Sequence, residues 1–253
     1  MKNPTTRFSD RVENYIKYRP HYPKEIIDYL KSENILKDDY VIADIGSGTG
    51  ISAELFLQNG NNVYGVEPNK EMREAGEKLL SGYSNFMSIE GTAESTTLED
   101  TSIDLIIAAQ SFHWFDSANA KNEFKRILKK GHNTVLIWNA RKLYSTQFLS
   151  EYEDLIKKYG TDYNEVRHEK TGKLVFDNFF VNGYKEREFP NEQVFDYEGL
   201  KGRLLSSSYA PQETHQNYNP MLEELNKIYS KYAENDKVKI EYETKLILGI
   251  LHV

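Results

Sequence analysis

The amino-acid sequence predicts an α/β domain with a doubly wound, mostly parallel sheet. Short apolar runs recur along the first half of the chain, at 41–46, 62–68, 86–91, 103–110 and 133–139. Runs that are apolar on both faces suit parallel strands covered by helices on each side. Segments with helical spacing lie between them, at 50–59, 69–80 and 117–130. Strand–helix alternation at this spacing is typical of an open doubly wound fold.

Each of these helices has an apolar stripe and a start or stop signal. The first carries Ile51, Leu55 and Phe56 on one side. The second starts at Asn69, a residue type suited to an N-cap, and aligns Met72, Ala75 and Leu79. The third aligns Ala120, Phe124, Ile127 and Leu128, and we expect it to stop at Lys129-Lys130-Gly131.

The two ends of the chain differ from this core. Residues 9–18 and 23–33 read as two helices before the first strand, and Pro23 suits the first turn of the second helix. After residue 140 the alternation breaks up into helical segments and two strand-like segments, at 146–159, 198–207, 219–234, 184–189 and 237–251. The sequence therefore predicts one domain, 1–253, with a helical lid at 1–40, a core at 41–140, and cap segments plus the last strands at 141–253.

Composition excludes several functional classes. The 253 residues include 32 basic and 39 acidic side chains, which gives a net charge of −7 and argues against a nucleic-acid partner. The absence of cysteine excludes disulfides, a zinc–thiolate site and a thiol nucleophile. No apolar run suggests a signal peptide or a membrane span, so we expect a cytoplasmic protein without a membrane partner.

A glycine-rich loop, Gly46-Ser47-Gly48-Thr49-Gly50, follows the first predicted strand. It is not a triphosphate-binding loop, because Ile51-Ser52 stands where Lys-Ser/Thr is required. It also lacks the third glycine of the dinucleotide fingerprint, since Ile51 occupies that position. Backbone without Cβ atoms still allows a ligand to lie directly on the loop, in front of a helix N-terminus.

An acid at the end of the second strand narrows the choice of ligand. Glu67 lies 17 residues beyond Gly50 and can accept hydrogen bonds from both vicinal hydroxyls of a ribose. Ala93 and Glu94, in the segment after the third strand, are placed to meet an adenine edge. Ribose and adenine without a phosphate cradle fit S-adenosyl-L-methionine.

Four motifs in order resemble a known family. "ADIGSGTG" (43–50), Glu67 in "GVEPN", "GTAES" (91–95) and "IDLIIAAQSFHWFD" (103–116) are similar to the Rossmann-like class I S-adenosylmethionine-dependent methyltransferases. "FSDRVENYIKYRPHYP" (8–23) and "LKGRLLSSSYAP" (200–211) further resemble the branch that includes trans-aconitate methyltransferases. The resemblance covers nearly the whole chain.

The resemblance implies a role for each matching residue. Gly46, Ser47, Gly48 and Gly50 would lie under the methionine part of the cofactor, and Asp44 would support the loop. Glu67 would hold the ribose. Around the adenine the resemblance places Pro68, Asn69, Ala93 and Glu94. Gln110 would lie beside the sulfonium, and Tyr15 and Arg19 would reach the methionine carboxylate.

Other residues have a structural assignment or more than one possible role. His113 is a candidate general base, a positioning donor or a structural histidine, and the sequence leaves these three open. Phe112, Trp114 and Phe115 read as packing for the next helix, and Asp116 as its N-cap. Tyr144, Tyr209 and Tyr218 are equally suited to a substrate pocket or to a cap–core boundary. No His and carboxylate spacing predicts a metal site.

The sequence therefore predicts an enzyme that methylates a small molecule, with a carboxylic acid as the candidate acceptor and a phenol, hydroxyl or amine as the alternative. An ionised carboxylate needs no general base, but it needs cations, for which Arg19, Arg141 and Arg203 are candidates. A regulatory S-adenosylmethionine-binding protein and an RNA or protein methyltransferase are the alternatives. We expect a monomer or a weak homodimer.

Overall fold

The computed structural model describes residues 12–161, 163 and 172–251. Its centre is a seven-stranded sheet in the order β3-β2-β1-β4-β5-β7-β6. The strands are β1 (Val41–Ile45), β2 (Asn62–Val66), β3 (Phe86–Ile89), β4 (Ile103–Ala109), β5 (Leu128–Arg141), β6 (Lys185–Phe195) and β7 (Val238–Ile250). The first five pair in parallel, and β7 pairs antiparallel with both β5 and β6. The predicted Rossmann-like, doubly wound and mostly parallel sheet is confirmed.

Helices flank this sheet and form the segments at either end of the chain. Those before β4 are α1 (Val12–Tyr18), α2 (Glu25–Ser32), α3 (Ile51–Gln58) and α4 (Lys70–Leu79). A short 3-10 helix at Phe112–Trp114 precedes α5 (Ser117–Ile127). The later helices are α6 (Gln147–Tyr159), α7 (Lys173–Phe179), α8 (Tyr197–Leu205) and α9 (Tyr218–Tyr232). Among the described residues, no helix is long and apolar enough to cross a membrane.

Side-chain caps begin several helices where the sequence predicted them. Asn69 Oδ1 accepts from the Met72 amide at 2.8 Å, and Asp116 Oδ1 accepts from the Ala118 amide at 3.1 Å. Both caps satisfy backbone donors that the first helical turn leaves free. The predicted N-cap roles of Asn69 and Asp116 are therefore confirmed.

Strand periodicity explains how the sheet separates two layers of core. Ile42, Leu105 and Ile107 pack with α2 and α3 on one face, whereas Ala43 and Ile106 pack with α5 and α7 on the other. Successive strand residues point to opposite faces, so one buried strand serves both layers. A third cluster joins α6, α8 and α9 to the beginning of β7. The division of the chain into a lid, a core and a cap stays a prediction.

Several boundaries differ from the predicted ones, and two of the differences have a clear physical reason. Helix α5 ends at Ile127, not at residue 130, because Leu128 already pairs with Ile103 of β4. Lys129, expected as part of the helix stop, instead reaches Asp104 Oδ1 at 2.9 Å. Strand β6 runs six residues past 189 to Phe195, and it tolerates Pro190 because it is an edge strand.

Helix α7 was not predicted. Its seven residues are too few for a clear periodic signal, although Phe176 and Phe179 are buried against the sheet. Phe179 contacts Phe112 with ring centroids 4.8 Å apart. This helix therefore closes the core below the segment that follows β4.

Candidate active site

The glycine loop lies where β1 ends and α3 begins, at the carboxyl edge of the sheet. Gly46, Gly48 and Gly50 have φ of +70°, +58° and +87°, a region that residues with a Cβ rarely adopt. A Cβ on Gly46 would lie 2.6 Å from Ser111 Cβ, and one on Gly50 would lie 2.5 Å from Leu80 Cδ1. Glycine is thus required by the backbone and by close packing of neighbouring elements.

Glu67 connects this loop to the end of β2. Its Oε2 accepts from the Gly48 amide at 2.9 Å, and its Oε1 accepts from the Asn69 amide at 2.8 Å. Burial raises the pKa of Glu67, and the two amide hydrogen bonds oppose that increase. Each oxygen keeps a further acceptor position, since a carboxylate has about four lone-pair sites.

A cavity of about 210 Å³ opens beside this carboxylate, and we call it the Glu67 cavity. Its lining brings together loop, strand-end and aromatic residues: Tyr15, Gly46, Gly48, Glu67, Pro68, Asn69, Met72, Thr92, Ala93, Glu94, Ala109, Gln110, Ser111, Trp114 and Phe115. Glu94 also fixes the wall of the cavity, because its Oε1 accepts from the Asp116 amide at 2.8 Å.

A second cavity, of about 240 Å³, adjoins the first, and we call it the arginine cavity. The two share Tyr15, Gly46, Ala109 and Gln110. The other lining residues are Arg19, Pro20, Tyr22, Ser47, Thr49, Ile51, Ser52, Asn139, Ala140, Arg141, Leu143, Tyr163, Arg203 and Tyr209. The shared residues form the boundary across which ligands in the two cavities would meet.

Gln110 lies at this boundary in an unusual conformation. Its φ is +56°, and its Nε2 donates to the Asn139 carbonyl oxygen at 3.1 Å. A residue other than glycine in the left-handed region carries backbone strain, which persists where the surrounding structure requires it. Pairing of β4 with β5 supplies that requirement, because the Gln110 amide donates to the Ile137 carbonyl at 2.9 Å.

Three arginines face the arginine cavity from distant parts of the chain. Arg141, at the end of β5, pairs with Glu153 Oε2 at 2.5 Å, and that carboxylate is fully buried. Arg203, on α8, donates from Nε to Tyr242 Oη at 3.0 Å. Arg19, just after α1, donates to the Ser206 carbonyl oxygen at 2.8 Å. Among the described residues, no Asp, Glu, His or Lys lines this cavity.

The N-terminal segment is held over the site by β5. Asn139 Nδ2 donates to the Pro20 and His21 carbonyl oxygens, both at 3.3 Å. The Arg19 guanidinium lies 4.8 Å from the centre of the Tyr15 ring. Tyr15 and Arg19 therefore both line the cavities, and their role at the methionine carboxylate stays a prediction.

Three of the predicted site residues do not line either cavity. Asp44 is fully buried behind the loop, where its Oδ2 accepts from Ser52 Oγ at 2.6 Å. Gly50 begins α3 against Leu80 and faces no cavity. His113 lies in the 3-10 helix with its ring 4.6 Å from that of Trp114, so the structure does not bring it to the boundary between the cavities.

Some lining residues were assigned otherwise from the sequence or were not predicted. Trp114 and Phe115 line the Glu67 cavity, although we expected them to pack only against the next helix. Tyr209 lines the arginine cavity, while Tyr144 and Tyr218 line neither. The contributions of Asn139, Tyr163 and Tyr22 were missed: no motif marks Asn139 or Tyr163, and Tyr22 lies within 8–23 but was given no role there.

Known methyltransferases are similar to this chain in sequence. Residues 43–136 match the family described as a methyltransferase domain. A methyltransferase-like protein of Schizosaccharomyces pombe is 26% identical over 241 residues, which cover 94% of this chain and 92% of that protein. A methyltransferase of Mycobacterium bovis is 34% identical over 134 residues, which cover 53% of this chain and 52% of that protein.

Solved structures share the fold. A type II methyltransferase of Anaeromyxobacter dehalogenans superposes with a TM-score of 0.67 at 15% identity, covering 93% of this chain and 99% of that one. A methyltransferase of Anabaena variabilis superposes with a TM-score of 0.60 at 19% identity, covering 91% and 98%. At such identities the likeness establishes the architecture.

Together, the family match over residues 43–136, the relatives and the fold support a class I S-adenosylmethionine-dependent methyltransferase. It is an enzyme whose methyl donor is S-adenosylmethionine. The class predicted from the four motifs is thus confirmed, whereas the trans-aconitate branch stays a prediction.

Proposed function

We propose that this enzyme methylates a carboxylate oxygen of a small organic acid. The observation that carries the proposal is the arginine cavity, which presents three guanidinium groups and, within the described part of the chain, no side chain suited to act as a general base. An acceptor bound there must bring its own nucleophile, and a carboxylate is already ionised at neutral pH.

The lining residues fit the cofactor. The Glu67 carboxylate keeps acceptor positions toward its cavity, as a ribose diol requires. Gly46 and Gly48 expose bare backbone to it. Within residues 12–161, 163 and 172–251, Arg19 Nε is buried without a hydrogen-bond partner, which suits a carboxylate of the bound cofactor. We therefore assign the nucleoside to the Glu67 cavity and the methionine end to the boundary with the arginine cavity.

The remaining assignments follow from position. Pro68, Asn69, Ala93 and Glu94 lie on the nucleoside side. Ser47, Tyr15 and Arg19 lie on the methionine side, and Asp44 supports the loop through Ser52. Gln110 borders the reacting groups. Of the arginines, this leaves Arg141 and Arg203 for the acceptor.

Bound S-adenosylmethionine supplies a methyl group on a sulfonium, and its transfer forms a C–O bond, breaks the S–C bond and leaves the electron pair on sulfur with no proton to move. The chain's own residues orient the acceptor and exclude water. Such positioning is worth up to roughly 7–11 kcal/mol. The hydroxyls of Tyr22 and Tyr163 act as donors, because burial raises the pKa of both groups.

The adjoining cavities also bear on the alternatives. A binding protein without acceptor chemistry needs only the Glu67 cavity, yet a second cavity of similar size meets it at Gln110. The small volume, about 240 Å³, favours a metabolite over a macromolecular side chain or base carried on a large surface.

The proposal is tested with methyl-labelled cofactor and panels of small carboxylic acids, phenols, alcohols and amines, with RNA and protein fractions alongside. We expect label in the acids, released as methanol by mild alkali because carboxylate esters hydrolyse there. The Gly48→Val variant, which blocks the Glu67 cavity, is the matched blank. Alkali-stable label in a phenol, an amine, RNA or protein would overturn the proposal.

A further inference from the structure

Helix α1 packs against helix α8 at a glycine, and we call the space beside that glycine the notch. Gly202 is inside α8, where glycine is disfavoured relative to alanine. A Cβ at this position would lie 2.0 Å from Cε2 of Tyr18 and 2.3 Å from its Cδ2. The Tyr18 ring therefore occupies the space that any other residue at 202 would fill. Gly202 is needed for this contact and not for its backbone conformation.

Two hydrogen-bonded connections join the same region of α1 to Arg203. In the first, Gln193 Nε2 donates to the Tyr18 carbonyl oxygen at 3.1 Å, and Gln193 Oε1 accepts from Tyr242 Oη at 2.9 Å. Tyr242 Oη in turn accepts from Arg203 Nε at 3.0 Å. A continuous chain of contacts thus runs from the backbone of α1 to the guanidinium of Arg203.

The second connection passes through the turn after α8. Arg19 donates to the Ser206 carbonyl oxygen at 2.8 Å, and Ser206 Oγ donates to the Arg203 carbonyl oxygen at 2.7 Å. Burial lowers the pKa of Arg19, and the neighbouring Arg203 charge lowers it further. Two buried like charges held this closely create a site that an anion stabilises.

We propose that Gly202 and Gln193 are positioning residues that seat helix α1 and so hold Arg19 toward the methionine carboxylate of the cofactor. This rests on the proposed assignment of Arg19. We call the contacts that Gly202 and Gln193 make with α1 the seat. Because Arg203 belongs to the same hydrogen-bond network, the seat also fixes one cation of the acceptor site relative to the cofactor. Recognition of the cofactor and recognition of the acceptor therefore depend on the same contacts of α1.

The seat predicts a contrast between two probes. S-adenosylhomocysteine carries the homocysteine carboxylate, which corresponds to the methionine carboxylate of the cofactor, while 5′-methylthioadenosine keeps the nucleoside and lacks the amino-acid part. The Gly202→Ala substitution should displace the Tyr18 ring and so lower the affinity for S-adenosylhomocysteine by about tenfold, as expected for a lost hydrogen bond to a charged group. The affinity for methylthioadenosine should change less than about threefold, since Glu67 lies on another element and, among the described residues, α1 contributes only Tyr15 to the Glu67 cavity.

A double-mutant cycle measured by calorimetry tests the contact itself. In a Tyr18→Ala background the notch is empty, so adding Gly202→Ala should change S-adenosylhomocysteine affinity less than about twofold. Gly82→Ala is the control, because a Cβ there meets nothing within 4 Å. Gln193→Met, which removes both hydrogen bonds at similar size, should show the same contrast between probes and keeps the test available if Gly202→Ala does not fold.

Unchanged S-adenosylhomocysteine affinity in Gly202→Ala and Gln193→Met would overturn the seat. An equal loss for both probes, or a Gly202→Ala effect that persists in the Tyr18→Ala background, would do so as well. Failure of every organic acid as an acceptor would instead overturn the proposed function alone, because no acceptor takes part in these measurements.

Discussion

Glu67 Oε2 accepts a hydrogen bond from the Gly48 amide at 2.9 Å, so the acid at the end of β2 also fixes the glycine loop after β1. The two strands pair in parallel, with Ile45 opposite Val66, which brings both features to the same edge of the sheet. Recognition of the ribose and the shape of the loop therefore depend on one carboxylate.

Glu67→Ala should weaken S-adenosylhomocysteine binding by about 1.5–3 kcal/mol, because hydrogen bonds to a charged group are lost and two amides lose their acceptor. Isothermal calorimetry measures this loss. Glu90→Ala removes an exposed acid near the end of β3 and serves as the control. A loss below about 0.5 kcal/mol would show that Glu67 does not recognise the ligand.

Gly48→Val should abolish detectable S-adenosylhomocysteine binding, since Gly48 lines the Glu67 cavity and a branched side chain there would occupy space of the ligand. Gly60→Val is the matched control, because Gly60 has φ of +96° and a Cβ there meets nothing within 4 Å. Both substitutions strain a left-handed position, and only the first fills the cavity. Equal affinity in the two variants would disprove the site assignment.

Asp44 should make the folding free energy depend on pH. Burial raises its pKa from 3.8 to about 7, although the Ser52 hydrogen bond acts in the opposite direction and Glu67 adds to the increase. The folded state then holds this proton more tightly than the unfolded state. Stability attributable to Asp44 is therefore greatest at low pH, falls as pH rises from about 4 to 7, and is constant above.

Asp44→Asn removes this dependence. Relative to wild type, the variant should gain about 1–3 kcal/mol of unfolding free energy between pH 5 and pH 8, at about 1.4 kcal/mol per pKa unit. Urea denaturation at the two pH values measures the gain. Asp39→Asn, at an exposed position, controls for the loss of one negative charge. A difference that does not vary with pH would show that Asp44 is ionised in the fold throughout this range.

The N-terminal segment should behave as a lid. Amide hydrogen exchange across residues 12–23 should slow when S-adenosylhomocysteine binds, because Tyr15 and Arg19 line the cavities. Helix α2, 25–32, lines neither cavity and is the internal reference. Equal exchange of residues 12–23 with and without the ligand would rule out closure over the cofactor.

The sequence predicted those parts of the fold and site whose signals are local. Strands that are apolar on both faces identified the parallel sheet, and the glycine loop with Glu67 lies within 22 residues of chain, Gly46 to Glu67. The conformation of Gln110 and the start of β5 at Leu128 depend instead on pairing with a neighbouring strand. Local propensity gives no information on such pairing.

The arginine cavity shows the same limit at longer range. Arg19, Arg141 and Arg203 were individually recognisable beside motifs. The partners of Arg141 and Arg203, which are Glu153, Tyr163 and Tyr242, come from segments that meet only in the folded chain. Whether a buried guanidinium is paired with a carboxylate or only hydrogen-bonded to neutral hydroxyls decides what it can bind. That information exists only in the tertiary structure.

His113 should not be the general base. His113→Gln should keep kcat/KM for the organic acid within about tenfold of wild type, because an ionised carboxylate needs no proton removed. Its pH profile between 6 and 8 should have the wild-type shape. Arg141→Met is the comparison, since it removes an acceptor-side cation from the cavity lining. It should lose about 10- to 100-fold in kcat/KM, with S-adenosylhomocysteine affinity nearly unchanged.

The pH profile of the rate also shows whether His113 or Asp44 is the group whose titration affects activity. A rate that rises through a histidine-like pKa near 6.5 and loses that limb in His113→Gln, together with most of the activity, would make His113 the base and refute the carboxylate proposal. A limb that survives His113→Gln and disappears in Asp44→Asn would belong to Asp44, whose pKa is about 7 behind the glycine loop. Such a limb would reflect the ionisation of Asp44 behind the glycine loop, and the proposed carboxylate acceptor would stand.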